Sequence, residues 1–387
     1  MKRWWFLLVL AACNEPTPQQ EVEVDAAVDA VVAVVPCPGQ VFPEDSGHSG
    51  QLVWDGQSFV LGYTGGYNLP GGVEGWSVNG ELRWSRALQG RGVGLWRAEG
   101  QTHALGRDEE GRTLAWRVAL DGSVEPIVWP SLEEVWDAQV LPFEGGVWVI
   151  SETTLARIEG TEVRWHHQVE GYSAGYDYFL NGAVTPEGDL RVTSLWFPPR
   201  DDAPLEYRLA TFLKGGQRVY ERSTPGFAPR GVAFGPDGAP LMVGVRFGPI
   251  PQGSPDRPRL GGRLVGLTEA PMDFDHLWPC SEFVKDNTGL DRLIPLRNGD
   301  WLVLGYLCSS YDDHQQWLLR LAPAGQIRWQ ARLRLMAETV IDGVAEADDG
   351  TIALSGTASE CCYDVTGWDT PWLMFVDPEG QCLDAVR

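Results

Sequence analysis

The chain has 387 residues, of which 53 are acidic and 30 are basic, and its net charge is −23. Nucleic-acid binding requires clustered cations that neutralise phosphates, so this balance argues against a nucleic-acid partner. It also argues against adhesion of the folded surface to anionic lipid. Solubility is the simplest explanation of the charge.

The N-terminus has the organisation of a bacterial export signal. Lys2 and Arg3 precede an apolar run from Trp4 to Ala12. A membrane-spanning helix needs about 20 apolar residues, so the shorter run predicts a signal peptide rather than an anchor helix. The run ends Leu10-Ala11-Ala12-Cys13, which resembles the lipobox of bacterial lipoproteins. An ordinary secretory signal that happens to precede a cysteine is the alternative.

The lipobox resemblance implies that residues 1–12 are removed and that Cys13 carries a diacylglycerol and an acylated amine. Acyl chains contribute about 0.8 kcal/mol per buried methylene, which holds a protein on a bilayer without a spanning helix. Asn14 differs from the aspartate associated with inner-membrane retention in enteric bacteria, so we expect an outer-membrane location in the cell envelope. Residues 13–36 are then the lipidated cysteine and a flexible tether, although 22–35 could instead dock as a strand or helix.

Residues 37–387 contain seven copies of a unit of short apolar strands and glycine turns. Within the seventh unit, Ile352 and Leu354 alternate with polar residues, which is typical of half-buried strands joined in hairpins. Asx-Gly pairs favour type I′ turns, in which both central residues have positive φ. The first turn of each unit lies at Asp55-Gly56, Glu99-Gly100, Gly145-Gly146, Glu187-Gly188, Asp237-Gly238, Asn298-Gly299 and Asp349-Gly350.

A second turn follows in most units, with a glycine shortly before an apolar strand. Copies lie at Val78–Trp84, Leu120–Pro126, Ile158–Trp165, Leu213–Tyr220, Pro323–Trp329 and Pro378–Leu383. Repeats of 40–50 residues are typical of propellers and solenoids, and two hairpins per unit predict blades of four strands. The sequence therefore predicts an all-β fold, a β-propeller of seven four-stranded blades. Trp317 to Leu333 closes unit six, and Val340 to Gly356 opens unit seven.

Three tryptophans occupy one position of the repeat, namely Trp84, Trp165 and Trp329. A large aromatic residue that recurs with the blade is expected to pack between blades rather than to bind a ligand. The spacing from Gly80 to Trp84 and from Gly325 to Trp329 resembles the repeats of PQQ-like bacterial propellers, which include the lipoprotein propeller of the outer-membrane assembly machinery. That resemblance implies a propeller that acts in the cell envelope.

The connections between the second and third strands of a blade are expected to leave one face of the propeller, because successive strands are antiparallel. We predict five long loops there, at 62–72, 196–206, 246–262, 306–316 and 357–371. Long loops on a rigid scaffold commonly carry function, and exposed aromatic residues are typical of binding hot spots. The candidate binding residues are Tyr63, Tyr67, Trp196, Phe197, Arg200, Phe247, Tyr306, Tyr311, Asp312, Asp313, His314, Tyr363, Trp368 and Asp369.

Six cysteines remain after Cys13, and an even number in an exported chain indicates disulfides. The candidates are Cys37, Cys280, Cys308, Cys361, Cys362 and Cys382. We expect Cys37 to pair with Cys382, which would join the start of the domain to its end, and Cys280 to pair with Cys308. Other connectivities remain open.

No pattern in the sequence predicts catalysis or a cofactor. There is no P-loop, dinucleotide fingerprint or nucleophile elbow. His166 and His167 are adjacent in a strand and point to opposite faces, and the clusters around Asp273 and His314 lack the spacing of a calcium loop. We therefore predict neither a metal nor a catalytic residue.

The sequence thus predicts a lipid-anchored, monomeric propeller that binds an envelope protein or polymer through its long-loop face. Its membrane contact would be the lipid anchor, and no nucleic acid is involved. The alternative is a hydrolase or lyase that acts on carbohydrate or peptide at that face or in the central channel.

Overall fold

The computed structural model describes residues 40–41, 49–64, 71–132, 135, 138–168, 176–197, 206–222, 226–235, 238–247, 260–266, 271–274, 289–310, 313–333, 335, 338–359 and 370–383. Within these residues the regular structure is entirely β-strand. The described part of the chain contains no helix that is long and apolar enough to cross a membrane.

The strands form seven antiparallel blades, so the predicted seven-bladed propeller is confirmed. Blade 1 contains β2 (Ser49–Trp54), β3 (Phe59–Tyr63), β4 (Gly72–Trp76) and β5 (Leu82–Ala87). Blade 2 contains β6 (Arg91–Ala98), β7 (Gln101–Arg107), β8 (Thr113–Val118) and β9 (Val124–Ile127). Blade 3 contains β10 (Gln139–Phe143), β11 (Gly146–Ile150), β12 (Thr154–Glu159) and β13 (Glu162–Gln168).

The remaining blades follow the same order from the inner strand outward. Blade 4 contains β14 (Tyr176–Val184), β15 (Leu190–Phe197), β16 (Glu206–Phe212) and β17 (Arg218–Arg222). Blade 5 contains β18 (Phe227–Phe234), β19 (Pro240–Phe247), β20 (Leu260–Val265) and β21 (Met272–Phe274). Blade 6 contains β22 (Gly289–Pro295), β23 (Trp301–Ser310), β24 (Asp313–Leu321) and β25 (Ile327–Leu333). Blade 7 contains β26 (Glu338–Glu346), β27 (Ile352–Ser359) and β28 (Thr370–Val376), and its outer position is taken by β1 (Gln40–Val41).

Blade 7 departs from the sequence expectation of four consecutive strands. Gln40 pairs with Leu373, so β1 lies on the edge of β28 that β27 does not occupy. The chain after β28 returns to the same edge, where Cys382 pairs with Val376. Segments from the two ends of the propeller therefore share the outer position of the last blade. This sharing closes the ring, and a repeat pattern read in consecutive units could not reveal it.

The first turn lies where predicted in units 1, 2, 4, 6 and 7, whereas in unit 3 it lies one residue earlier, at Glu144-Gly145, and Asp237 of unit 5 is outside the described residues. The type I′ prediction is wrong at most of these turns. At Asp349-Gly350, Ala347 N–H donates to Thr351 O at 2.8 Å, Gly350 N–H donates to Ala347 O at 3.1 Å, and only the glycine has positive φ. This is a type I turn followed by a glycine bulge, which also suits the twist of a hairpin. Among the described residues, Glu99 is the only non-glycine with positive φ, so Glu99-Gly100 keeps the predicted type.

The recurrent tryptophans pack between blades, as the repeat predicts. Each lies beneath the glycine of the second turn in the following blade. A Cβ added at these glycines would lie 2.5 Å from Trp84 at Gly122, 2.0 Å from Trp165 at Gly216 and 2.7 Å from Trp329 at Gly380. Glycine is required there twice over, because the backbone has positive φ and the indole fills the space of a side chain.

The segment 306–316 is not a loop, which corrects the sequence prediction. Strands β23 and β24 run through it as a hairpin, with Tyr306 opposite Gln316 and Leu307 opposite Gln315. Tyr306, Leu307, Gln315 and Gln316 are all buried. The polar and aromatic composition of this stretch concealed the alternation of a strand, because both of its glutamines face the interior.

Candidate functional site

The antiparallel blades place all connections between second and third strands on one face, here called the long-loop face. The opposite face carries the short turns. The connections on the long-loop face are uneven, since those of blades 2 and 3 (108–112 and 151–153) are short and those of blades 1, 4, 5 and 7 are longer. The longer ones span 64–71, 198–205, 248–259 and 360–369. The longer connections and the long blade-6 hairpin therefore belong to blades 4–7 and blade 1.

Six of the seven inner strands have a β-bulge toward this face. In blades 5, 6 and 7 the extra residues are Arg230, Asp291 and Asp342. Equivalent register shifts interrupt β2, β6 and β14, whereas β10 is regular. A bulge re-aims the extra side chain and is frequent beside functional sites. The three bulge residues of blades 5–7 are all charged.

Hydrogen bonds at the level of the bulges link six of the seven neighbouring pairs of blades, and Gln51 of blade 1 reaches past blade 2 to Ala138, just before blade 3. They are between 2.6 and 3.5 Å long. In blades 1–4, Leu95 N–H donates to Gln51, Gln51 donates to Ala138 O, and Gln139 and Gly182 bond each other in both directions. In blades 4–6, Thr193 donates to Arg230 O and the Arg230 side chain donates to Asp291. The ring continues as Arg292 donates to Asp342 O, and Ser355 donates to Gly50 O of blade 1. This bulge ring fixes the inner strands rigidly relative to one another.

Glycines that follow the bulges bring the next blade close. A Cβ at Gly231 would lie 2.5 Å from Asp291 O, one at Gly343 would lie 2.7 Å from Gly50 O, and one at Gly94 would lie 2.8 Å from Ala138 O. The missing side chains therefore allow backbone of neighbouring blades to meet at the bulge ring.

Arg230 is the centre of a charged and aromatic cluster at this end of blades 4–6. Its Nη1 donates to Asp291 Oδ1 at 3.0 Å, and about one third of each side chain is exposed. The guanidinium carbon lies 5.4 Å from the centroid of the Tyr306 ring, within reach of a cation–π contact. Tyr306 packs with Ala228 and with the half-buried Tyr207. We call Arg230, Asp291, Tyr306 and Tyr207 the Arg230 cluster.

The electrostatics of the cluster keep both Arg230 and Tyr306 protonated near neutral pH. Burial alone would lower the pKa of Arg230, but Tyr306, Asp291 and Tyr207 together raise it above its usual value. Burial raises the pKa of Tyr306 to about 12, since the opposing effect of Arg230 is smaller. The cluster therefore offers a cation beside a neutral phenol.

The structure places three of the predicted binding side chains in contact with described neighbours. Tyr306 belongs to the Arg230 cluster and is buried rather than exposed. Trp196 lies 4.4 Å beneath the guanidinium of Arg208, whose Nη2 donates to Glu206 at 2.8 Å. Burial raises the pKa of the Tyr63 hydroxyl, with a further contribution from Glu74.

The other predicted residues are placed in part or fall outside the described residues. The backbone of Phe197 and Phe247 ends strands β15 and β19, and Asp313 and His314 begin β24. Cys308 lies in β23 and Cys382 beside β28. The predictions for Cys13, Cys37, Tyr67, Arg200, Cys280, Tyr311, Asp312, Cys361, Cys362, Tyr363, Trp368 and Asp369 concern residues outside the described ranges.

Inside the ring is a cavity of about 930 Å³, lined by all seven inner strands. Its wall is largely small and apolar, with Arg97, Arg292 and Asp342 as the charged lining residues. Within the described ranges, no group of three or more His, Cys, Asp or Glu side chains is placed to hold a metal ion.

Sequence reasoning missed Arg230, Asp291 and Tyr207. A signal for the first of these exists, because Arg230-Gly231, Asp342-Gly343 and Val93-Gly94 occupy matching places in the unit. A charged residue before the glycine of an inner strand marks a bulge that points its side chain out of the regular alternation. No pattern marks Tyr207, whose role depends on contacts between blades.

Comparisons with known proteins give likenesses of low identity. No protein family and no curated protein matches the sequence. The β-propeller domain of the Trilobed protease from Pyrococcus furiosus, described by its open velcro topology, is 11% identical, with 87% of this chain and 97% of that chain covered and a TM-score of 0.49. BamB from Moraxella catarrhalis is 10% identical, with 88% and 97% covered and a TM-score of 0.40. The N-terminal domain of Nup159 is 11% identical, with 88% and 92% covered and a TM-score of 0.44. These values give no information on function, and the fold assignment depends on the seven blades themselves.

Proposed function

We propose that this protein is a lipid-anchored propeller of the bacterial cell envelope that binds an envelope protein or polymer at its long-loop face without catalysis. The observation that carries the proposal is the contrast between the two faces. One face repeats short turns, and the other combines uneven connections with the Arg230 cluster on a rigid bulge ring. Rigid scaffolds with irregular loops are a common basis of recognition.

Site-specific crosslinking in the native envelope tests the choice of face. A photo-reactive residue at Glu152, at Trp196 or within 357–371 should crosslink a partner, whereas one at Asn79 or Asp121 on the short-turn face should not. Equal crosslinking from Asn79 and Asp121 would contradict the proposal. Trp196→Ala should reduce partner recovery without lowering the melting temperature, because its indole lies near the surface.

The lipid anchor is the second part of the proposal. The apolar run that ends Ala11-Ala12-Cys13 supports it. Labelled palmitate should be incorporated into the wild-type protein and not into Cys13→Ser, and the protein should fractionate with the outer membrane only when Cys13 is present. Failure of the wild type to incorporate palmitate would overturn the anchor but leave the binding face untouched.

We also propose that Cys37 and Cys382 form a disulfide. Both β1 and Cys382 lie on the same edge of β28. Gln40, three residues after Cys37, lies opposite Leu373, and Cys382 lies opposite Val376, three residues further along that strand. A peptide that contains both cysteines after non-reducing digestion is the expected result.

A hydrolase or lyase that acts on carbohydrate or peptide is the second candidate. The specific observation for it is that Tyr63 lines the central cavity and adjoins a perturbed carboxyl group. Burial raises the pKa of Glu74, although hydrogen bonds from Trp76 and Ser85 oppose the effect. Turnover of a glycan or peptide substrate that Glu74→Gln abolishes would favour this candidate over non-catalytic binding.

A further inference from the structure

Arg230 has more hydrogen-bond donors than the described structure supplies with acceptors. A guanidinium carries five N–H donors, and the described structure gives Arg230 one side-chain acceptor, Asp291. Its Nε is buried and has no hydrogen-bond partner among the described residues. A buried donor of a charged group is costly to leave unpaired, and the side chain is still one third exposed. The Nε itself is closed to solvent, so an acceptor from a ligand would meet the exposed part of the guanidinium.

The side chains around Arg230 restrict the kind of acceptor. Tyr306 stacks against the guanidinium and Tyr207 lies beside it, so the site has aromatic walls with hydroxyl groups. Asp291 already balances one positive charge. A singly charged, planar group fits this balance better than a phosphate, which carries more charge and would be repelled by Asp291.

The sequence segment 200–263, which contains Arg230, differs in charge from the rest of the chain. Residues 200–263 contain ten Lys and Arg and six Asp and Glu, a local balance of +4, whereas the whole chain carries −23. This stretch runs from the long connection of blade 4 through three strands of blade 5. Among its strand residues, Arg208, Arg246 and Arg263 lie in β16, β19 and β20. Arg208 pairs with Glu206, and Arg246 and Arg263 pair with Asp273, so the partly exposed Arg230 is the point at which this excess of cations favours an acidic partner.

We propose that Arg230 binds a carboxylate of an acidic peptide segment, and that the Arg230 cluster is the recognition point on the long-loop face. This inference depends on the proposed function, because it assigns the partner chemistry of the same face. Arg230 would donate its free N–H groups to the carboxylate, with Tyr306 and Tyr207 as the walls of the site and the bulge ring as its support.

Fluorescence anisotropy with labelled hexaglutamate tests the proposal on the full chain in detergent micelles. Wild-type protein should bind hexaglutamate, should bind it more weakly as salt rises, and should not bind hexaglutamine. Arg230→Gln should weaken binding by about tenfold or more, the effect of losing charge-assisted hydrogen bonds. Asp291→Asn should tighten binding several-fold, because it frees a donor and removes a competing carboxylate.

Arg191 provides the matched control. It also stacks on an aromatic ring, with its guanidinium 5.5 Å from the Phe234 centroid, and also has a buried Nε without a partner among the described residues. It lies near the start of β15, next to the short-turn face. Arg191→Gln should leave hexaglutamate affinity within about twofold of wild type, since general charge loss has little effect at a distance in salt.

Each outcome decides the proposal. Unchanged affinity in Arg230→Gln at an unchanged melting temperature, or weaker binding in Asp291→Asn, would overturn it. If Arg230→Gln does not fold, the Asp291→Asn result decides alone. Binding of hexagalacturonate instead of hexaglutamate at Arg230 would overturn the choice of a peptide. Crosslinking from Trp196 that persists in Arg230→Gln would show that the face binds a partner by other chemistry, so the two proposals fail separately.

Discussion

The two ends of the blades hold the ring together by different means. At the short-turn end, three junctions use one contact, in which the outer-strand tryptophan of one blade lies beneath the second-turn glycine of the next. At the long-loop end, the bulge ring uses a different group at nearly every junction: Gln51, Gln139, Thr193, Arg230, Arg292 and Ser355.

The difference follows from what each contact demands. An indole beneath a glycine with positive φ leaves no room for other side chains, so that contact repeats with little change. A hydrogen bond across a bulge can be made by an amide, a hydroxyl or a guanidinium, so the residue type is free to vary. The long-loop end can therefore acquire a charged cluster without loss of the ring.

Removal of one indole should give the largest effect. Trp165→Ala should lower the free energy of unfolding by about 3–5 kcal/mol, because Trp165 packs on Trp148, Phe212 and the turn at Gly216. Denaturant unfolding followed by far-UV circular dichroism measures the change. Val128→Ala, at a side chain that is 78% exposed, is the control and should change stability by less than about 0.5 kcal/mol. Equal losses in both variants would mean that the repeated contact does not stabilise the ring.

Loss of the proposed disulfide at the last blade should have the next largest effect on the free energy of unfolding. Cys382→Ser should lower stability by about 2–4 kcal/mol if a disulfide joins the two chain segments on β28. Reductant should produce a similar loss in the wild type and no further loss in Cys382→Ser. An effect of reductant that is undiminished in Cys382→Ser would place the responsible disulfide elsewhere.

The sequence allowed the regular part of this structure to be predicted and left the irregular part open. Glycine turns such as Asp349-Gly350 and the spaced tryptophans are local signals, so they predicted blade number and packing. The pairing of β1 with β28 joins residues more than 300 positions apart, and no local pattern encodes it. The 306–316 hairpin resembles a loop in the sequence, because its buried glutamines are residues typical of a surface. Arg230 was missed because its importance depends on Asp291 and Tyr306 in another blade.

A side chain added at a glycine that follows a bulge should lower the free energy of unfolding less than the loss of Trp165 or of Cys382. A Cβ at Gly231 would lie 2.5 Å from Asp291 O, 2.8 Å from Val243 and 3.0 Å from Arg292 Cα, so blades 5 and 6 would have to separate slightly. Gly231→Ala should lower stability by about 1–3 kcal/mol. Gly215→Ala is the control, because nothing lies within 4 Å of its Cβ and its φ is not positive. A loss at Gly215 as large as that at Gly231 would show that blade contact is not the cause.

The smallest expected effect concerns the pKa of Tyr306 and appears only at alkaline pH. Tyrosine ionises near pH 10 in an unfolded chain, whereas the Tyr306 pKa in the folded state is about 12. Between these values the unfolded state releases a proton that the folded state keeps, so ionisation favours unfolding and stability is lost as pH rises. Tyr306→Phe removes this dependence. The stability difference between wild type and Tyr306→Phe should therefore be constant below pH 9 and should shift by about 1–2 kcal/mol in favour of the variant by pH 12. Urea titrations at fixed pH values measure it, and parallel curves for the two proteins across this range would show that the Arg230 cluster does not bury the phenol.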